Sequence, residues 1–181
     1  MSDLDLTLEG PAATTRLGLC LSGLLRAGDV VALSGPLGAG KSVLARGIVT
    51  SLCPHEADIP SPTFTLVQTY EPDDGPPVMH FDLYRLEAPE EALELGIEDA
   101  FVDAVCLVEW PERLGPWLPR NALRITLEPD LSAPERRVAR LSGGARWQQQ
   151  LGKLAAEMGR MTISPWKASS SLVFDRACFY N

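Results

Sequence analysis

Apolar residues recur with two spacings along the first 160 positions, and segments of the two kinds alternate in the first half of the chain. Segments 12–25 and 42–52 have apolar residues every three or four positions, which predicts amphipathic helices. Segments 30–33, 78–81 and 104–108 are short apolar runs, which predict buried strands. Because strands and helices interleave, we expect an α/β fold whose sheet has a parallel core and flanking helices.

Other segments alternate between apolar and polar residues, as strands with one exposed face do. Segments 122–127 and 136–141 show this pattern late in the chain. Segment 61–70 shows it earlier: it begins with a proline turn and continues with alternating β-branched and aromatic residues. A short helix is predicted over 89–95 and a longer one over 146–158. The pattern therefore adds late antiparallel strands to the parallel core.

The periodic pattern ends near residue 160. We predict one domain over residues 1–160 and a C-terminal tail over 161–181. The tail contains Pro165 and a run of three serines and has no regular apolar spacing. We expect it to be flexible. The alternative is that its apolar residues form a strand that pairs with a sheet edge.

Composition excludes several classes of protein. The net charge is −8 with only 16 Lys and Arg, which argues against a basic nucleic-acid-binding face, so any role near RNA is expected to go through a partner protein. Four scattered cysteines without a C-x-x-C pair favour reduced, mostly buried thiols. The acidic start is unlike a signal peptide, and no apolar run could span a bilayer. His80 is expected to be an ordinary strand residue, since two histidines and separated cysteines form no metal cluster.

The strongest motif is the glycine-rich segment 35–42, GPLGAGKS, which fits G-x-x-x-x-G-K-[ST] and lies between a predicted strand and a predicted helix. Glycines such as Gly35 let the backbone wrap around phosphate oxygens. Lys41 would reach the β- and γ-phosphates, and the Ser42 hydroxyl would ligate Mg²⁺. Inward-pointing backbone N–H groups are expected at Gly38, Ala39, Gly40, Lys41 and Ser42. The motif predicts nucleotide binding but leaves ATP or GTP, and hydrolysis or phosphoryl transfer, open.

Two acidic residues follow predicted strands. Asp82 comes after segment 78–81 and Glu109 after segment 104–108. A P-loop site needs a carboxylate beside the metal at the end of a neighbouring strand, so we expect one of them to be functional, but spacing alone does not divide their roles. Thr63, in a Ser-Pro-Thr segment, either senses the γ-phosphate and metal or begins a strand, and the residues favour neither.

Five segments in order, GPLGAGKS, SPTFTLVQTY, HFDLYRL, ELGIEDAF and CLVEWPERLG, resemble the TsaE (YjeE) family over about residues 14–154. The resemblance implies a P-loop NTPase-like fold and a cytoplasmic ATPase that uses ATP and Mg²⁺. It implies a role in forming threonylcarbamoyladenosine in tRNA. The implied partners are the tRNA threonylcarbamoyl transferase and its inactive paralogue, with tRNA contacted only indirectly.

The resemblance also assigns residues. Ser42 and Glu109 match the magnesium positions, Asp82 matches the acidic residue of the H-F-D-L-Y-R motif, and Thr63 matches the threonine of a switch-like loop. Trp110 matches a tryptophan beside the metal carboxylate and the bound nucleotide. The expected catalytic set is Lys41, Thr63, Asp82 and Glu109.

This sequence departs from the family pattern after the lysine, where many members carry two threonines. Val43 stands at the second position and can offer only its backbone N–H to the α-phosphate, so we expect somewhat weaker nucleotide binding. Residues 12–14 match the part of the family that lies against adenine.

A stand-alone small-molecule kinase on the same fold is the alternative function. A kinase usually closes an arginine-rich lid over the phosphates, and no such insertion is visible in this sequence. Arg136, Arg137 and Arg140 come late and alternate along a predicted strand. A GTPase would usually carry an N-K-x-D element, which does not occur. We expect hydrolysis by the isolated chain to be slow and to be raised by partners.

Overall fold

The computed structural model describes residues 2–163, which form one mixed sheet with helices on both faces. The strands are β1 (Ser2–Glu9), β2 (Val30–Ser34), β3 (Val67–Tyr70), β4 (Val78–Asp82), β5 (Val105–Glu109), β6 (Leu123–Asp130) and β7 (Ala133–Gly143). The helices are α1 (Gly10–Ser22), α2 (Lys41–Leu52), α3 (Glu91–Glu94), α4 (Ile97–Asp103) and α5 (Ala145–Ile163). A 3₁₀ segment spans Pro111–Trp117.

The sheet has the strand order β1-β7-β6-β2-β5-β4-β3. Strand β2 pairs in parallel with both β5 and β6, and β4 pairs in parallel with β5. The pairs β3–β4, β6–β7 and β1–β7 are antiparallel. The predicted parallel core with late antiparallel strands is confirmed, and parallel and antiparallel pairing meet at two strands, β6 and β4.

Two hydrophobic clusters lie on opposite faces of the sheet. On β2, Val31 and Leu33 belong to the larger cluster with α1, α2 and α5, whereas Val30 and Ala32 belong to the smaller cluster with α3 and α4. Successive side chains of a strand point to opposite faces. A strand covered on both sides is therefore apolar throughout, which is why β2 lacks alternation.

Helices α1 and α2 approach each other closely at two glycines. A Cβ atom on Gly18 would lie 2.7 Å from the Leu44 carbonyl oxygen, and one on Gly47 would lie 2.7 Å from the Thr15 carbonyl oxygen. Neither backbone can accept a larger side chain without moving. This contact holds α1 against the helix that begins at the glycine-rich loop.

The strand predicted after the proline turn of segment 61–70 is wrong for residues 63–66. Only Val67–Tyr70 forms β3, and the preceding residues form a turn. Leu66 adopts a left-handed backbone with φ of 65°, and its N–H donates to the Pro62 carbonyl at 2.7 Å. Apolar alternation suggested a strand, but the proline and this local hydrogen bond produce a loop, and the loop lies beside the site described below.

Strand β1, helix α4 and the 3₁₀ segment were not predicted, and one predicted helix is shorter than expected. Strand β1 pairs with β7 along its whole length, and its alternating leucines, Leu4, Leu6 and Leu8, are the same kind of signal that predicted the strand over 122–127. Helix α3 covers only four residues of the predicted 89–95 segment. The predicted end of this helix before Gly96, whose φ is 71°, is confirmed, and α4 begins directly after that glycine.

The buried thiols agree with the expectation of reduced, packed cysteines. Cys20, Cys53 and Cys106 are buried. Burial raises the pKa of Cys106 to about 12, so this thiol stays protonated at neutral pH and is a poor nucleophile.

The predicted tail over 161–181 falls almost wholly beyond the described residues, which end at 163. Helix α5 reaches Ile163, three residues past the expected domain boundary. Between residues 2 and 163, none of the helices combines the length and the hydropathy needed to cross a bilayer.

Candidate functional site

The glycine-rich loop connects β2 to α2 and depends on glycine at its two ends. Gly35 has φ of 134°, and a Cβ atom there would lie 2.2 Å from the Leu127 carbonyl oxygen of β6. Gly40 has φ of 105° and directly precedes the first residue of α2. L-residues with side chains rarely adopt these angles. The loop therefore curls over the N-terminus of α2, where backbone N–H groups and the helix dipole favour an anion.

Lys41, the first residue of α2, is only 4% exposed. Its Nζ donates to the carbonyl oxygens of Gly35 at 2.8 Å and Pro36 at 3.0 Å, and it lies 3.9 Å from the centroid of the Trp110 ring. Burial lowers the pKa of Lys41, and the nearby carboxylates, first that of Glu109, oppose this shift. Over residues 2–163 no carboxylate pairs directly with this ammonium group, so a phosphate would supply the anion that its position favours.

Asp82 and Glu109 end the neighbouring parallel strands β4 and β5 and lie opposite each other in the register. Both are buried, with exposures of 4% and 2%. The two oxygens of Glu109 have different partners: Oε2 accepts from the Ser42 hydroxyl at 3.0 Å, and Oε1 lies 2.9 Å from His80 Nε2. Glu109 is thus tied to the start of α2 on one side and to β4 on the other.

Asp82 contacts the Ser-Pro-Thr loop that precedes β3. The Thr63 hydroxyl donates to Asp82 Oδ2 at 2.8 Å, and the Ser61 hydroxyl lies 3.0 Å from that of Thr63. Asp82 Oδ1 accepts from the Tyr84 backbone N–H at 3.1 Å. The Ser-Pro-Thr loop is therefore connected to the end of β4 through side chains rather than through a strand ladder.

Trp110 follows Glu109 in an uncommon backbone conformation. Its φ and ψ are 59° and 50°, and its N–H donates to the Leu33 carbonyl at 3.2 Å. The ring lies beside the Tyr84 ring at a centroid distance of 4.9 Å. A bulky residue in the left-handed region is uncommon, and such strain occurs often at functional sites. Here it turns the chain so that the ring covers Lys41.

The structure brings most predicted site residues into one cleft of about 250 Å³. Its lining comprises Leu37, Gly38, Gly40, Lys41, Ser42, Val43, Thr63, Asp82, Tyr84, Glu109 and Trp110. Gly35 does not line the cleft, but its carbonyl oxygen accepts a hydrogen bond from Lys41. Ala39 and Thr14 line an adjoining cavity of about 100 Å³, together with Val43.

The donor set is suited to a hard cation. The Ser42 hydroxyl and the Glu109 carboxylate are in contact, and Asp82 and Thr63 line the same cleft, so the available ligands are oxygens. Magnesium prefers oxygen ligands and usually keeps several waters or phosphate oxygens in addition to one or two protein groups. Among the residues described, no cluster of three or more His, Cys, Asp or Glu could hold a metal alone. The residues therefore fit a Mg²⁺ ion that is shared with a nucleotide.

Sequence reasoning missed the contact of His80 and the place of Tyr84 at this site. His80 was expected to be an ordinary strand residue, yet it contacts Glu109. One signal was available in the H-F-D segment, because residues two apart on a strand share a face. His80 therefore had to face the same side of the sheet as Asp82. Tyr84 gave no comparable signal, since it lies in the turn after β4.

A sheet with a parallel core, in which a buried strand leads into a glycine-rich loop and a helix N-terminus, defines a P-loop NTPase-like fold. The family model of the threonylcarbamoyl adenosine biosynthesis protein TsaE matches residues 8–138. The chain belongs to the TsaE family.

Individual proteins agree with this family membership. The tRNA threonylcarbamoyladenosine biosynthesis protein TsaE of Rickettsia conorii is 39% identical over 122 residues, which cover 67% of this chain and 69% of that protein. The protein of the same name from Mycobacterium bovis is 40% identical over 146 residues, covering 76% and 86%. The crystal structure of Bacillus subtilis YdiB matches with a TM-score of 0.68 and 26% identity, over 89% of this chain and 97% of that one.

Proposed function

We propose that this chain is a magnesium-dependent ATPase of the cytoplasm that supports the formation of threonylcarbamoyladenosine in tRNA. The observation that carries the ATP site is Lys41, a buried ammonium group at a helix N-terminus that donates to two loop carbonyls. A buried cation is costly unless it is paired. A β- or γ-phosphate at this position would pair with Lys41 and accept from the loop N–H groups.

The side chains of the cleft would have separate roles. Ser42 and Glu109 would hold Mg²⁺, which when bound would neutralise charge on the phosphates. Asp82 and Thr63, joined by a hydrogen bond of 2.8 Å, would orient the water that attacks the γ-phosphate. Val43 lines the cleft but has no hydroxyl for the α-phosphate, so its backbone N–H would serve instead.

The pathway and the partners rest on the family and on charge. The relatives are named for tRNA threonylcarbamoyladenosine biosynthesis, and the net charge of −8 disfavours direct binding of tRNA. We propose that the chain acts with the tRNA threonylcarbamoyl transferase and its inactive paralogue and meets tRNA only through them.

Calorimetric titration with ATP and Mg²⁺ tests the site. Lys41→Ala should weaken ATP binding by at least about tenfold and abolish turnover, since a charge-assisted hydrogen bond contributes about 1.5–3 kcal/mol. The control is Lys153→Ala, which removes an exposed lysine of α5 and should bind as the parent does. Parental hydrolysis by Lys41→Ala would show that the phosphate loop is wrongly assigned.

A further inference from the structure

Within the described chain, His80 makes one polar side-chain contact, and that contact is to the carboxylate we assign to magnesium. The ring is 1% exposed on β4, and its Nε2 lies 2.9 Å from Glu109 Oε1. Because a carboxylate only accepts hydrogen bonds, Nε2 carries the hydrogen. Over residues 2–163, the other ring nitrogen, Nδ1, has no hydrogen-bond partner. The imidazole is thus a single donor directed at Glu109.

This contact leaves the two oxygens of Glu109 unequal. Oε2 lies at the Ser42 hydroxyl, on the side of the glycine-rich loop, whereas Oε1 is occupied by His80. Ser42 and Glu109 line the cleft and His80 does not. The carboxylate therefore presents one oxygen to the cleft and keeps the other in the interior.

We propose that His80 is a positioning residue that restricts Glu109 to metal coordination through Oε2 alone, and that the site thereby selects Mg²⁺ over Ca²⁺. The inference rests on the proposed function, since it assumes that a divalent cation is bound with the nucleotide. Mg²⁺ demands six ligands in near-ideal octahedral geometry, whereas the larger Ca²⁺ accepts six to eight and often takes both oxygens of one carboxylate. A carboxylate with one oxygen held by His80 suits the smaller ion.

Packing alone would make a different prediction. If His80 only filled space in the interior, its replacement would lower stability and weaken the binding of both metals equally. If it directs Glu109, its replacement would free Oε1 and improve the fit to Ca²⁺ relative to Mg²⁺. Partners of metal-bound groups typically affect metal affinity by about 10- to 100-fold. The ratio of the two metal affinities therefore separates the two roles.

The experiment uses the full chain saturated with ATP and titrates MgCl₂ or CaCl₂, with metal binding followed by calorimetry. His80→Leu should lower the preference for Mg²⁺ over Ca²⁺ by about tenfold or more. His80→Gln, whose amide can donate to Oε1, should keep most of the preference. The matched control is Val78→Ala, which removes packing from the same face of the same strand and should leave the ratio unchanged. Thermal unfolding of each variant reports stability separately.

The outcomes are distinct. A parental metal ratio in folded His80→Leu, or an equal loss of preference in Val78→Ala, would overturn the role of His80. His80→Met replaces His80→Leu if the latter does not fold, because its flexible apolar side chain adapts to the space of the ring and has no hydrogen to donate to Glu109. If the parent itself binds neither metal with ATP, the proposed function fails instead, and the fault lies there rather than with His80.

Discussion

At the scale of single residues, Asp82 and Glu109 differ in the hydroxyls that contact them. Glu109 accepts from Ser42, which belongs to the glycine-rich loop and α2, whereas Asp82 accepts from Thr63, which belongs to the Ser-Pro-Thr loop. The first pairing joins a carboxylate to the group that ligates magnesium in P-loop proteins. The second joins a carboxylate to a loop able to respond to the γ-phosphate. These contacts favour Glu109 as the metal ligand and Asp82 as the group that orients water.

Substitutions of the two carboxylates should therefore have different effects. Glu109→Gln should raise the magnesium concentration required for ATP binding, because it removes the charge that holds the metal. Asp82→Asn should lower the rate of hydrolysis more than ATP affinity, because it acts on the attacking water. Titrations of magnesium and ATP, with binding and turnover measured separately, give both parameters.

The exposed Glu112 provides a control for the loss of negative charge near the cleft. Glu112→Gln should behave as the parent does. An unchanged magnesium requirement in Glu109→Gln would remove Glu109 from the metal site.

Trp110 should report the arrival of nucleotide. Its ring lies over Lys41 Nζ at 3.9 Å, and a phosphate that binds the ammonium group would alter this contact. We expect ATP with Mg²⁺ to change tryptophan emission in the parent and to change it little in Trp110→Phe. The indole of Trp147 is buried and donates to the Asn121 carbonyl, so it should contribute a constant signal. An ATP-dependent change that survives in Trp110→Phe would locate the reporter elsewhere.

At the scale of elements, the position of the glycine-rich loop depends on how α1 and α2 pack. Gly18 and Gly47 let the two backbones meet, and α2 begins directly after the loop. Thr14 of α1 lies near Gly40, since a Cβ atom added to Gly40 would lie 3.7 Å from the Cγ2 atom of Thr14. A displacement of α1 would therefore disturb both the packing of the core and the position of Gly40 at the edge of the cleft.

Gly47→Ala tests this packing. The added methyl group would lie 2.7 Å from the Thr15 carbonyl oxygen, and overpacking of this kind costs about 1–3 kcal/mol. The midpoint of thermal unfolding should fall by several degrees, and ATP binding should weaken as well. Gly152→Ala in α5 is the control, because a methyl group there would meet no neighbouring atom of residues 2–163 within 4 Å, and it should unfold at or slightly above the parental temperature. Equal effects of the two substitutions would contradict close packing at Gly47.

The elements differ in how far the sequence predicts them. Helices α1 and α2 and the strands β2, β4 and β5 follow from apolar spacing, because each buries a continuous face or is covered on both sides. The extension of the proline turn as far as Leu66 could not be predicted in this way, since it depends on the left-handed backbone of Leu66 and on its hydrogen bond to Pro62. Thr63, whose hydroxyl donates to Asp82, lies in that turn.

The candidate site shows the same division. Lys41 and Ser42 are adjacent in one motif, so local sequence is enough to predict that they lie together. The contact of His80 with Glu109 depends on β4 and β5 being neighbours in parallel register. An order of strands is a property of the whole sheet, and spacing along the chain does not supply it.

At the scale of the whole molecule, the cleft is poor in positive charge. Among the described residues, Lys41 is the only cationic side chain in its lining, and the chain as a whole carries −8. In related P-loop enzymes an arginine supplied to the site raises the rate by about 10³ to 10⁵. If the chain hydrolyses ATP as proposed, we expect the charge of the transition state to be incompletely stabilised until another surface contributes, and hydrolysis by the chain alone to be slow.

Single-turnover hydrolysis of ATP tests this account most directly. It should be measured for the chain alone, with the transferase and its inactive paralogue together, and with each partner singly, with Lys41→Ala as the background in every case. We predict slow, magnesium-dependent hydrolysis by the chain alone and a rate at least about tenfold higher with the pair, since a partner would supply the missing positive charge. Full activity of the isolated chain that the pair does not change would contradict partner activation, and phosphate transfer to a small acceptor would support a stand-alone kinase instead.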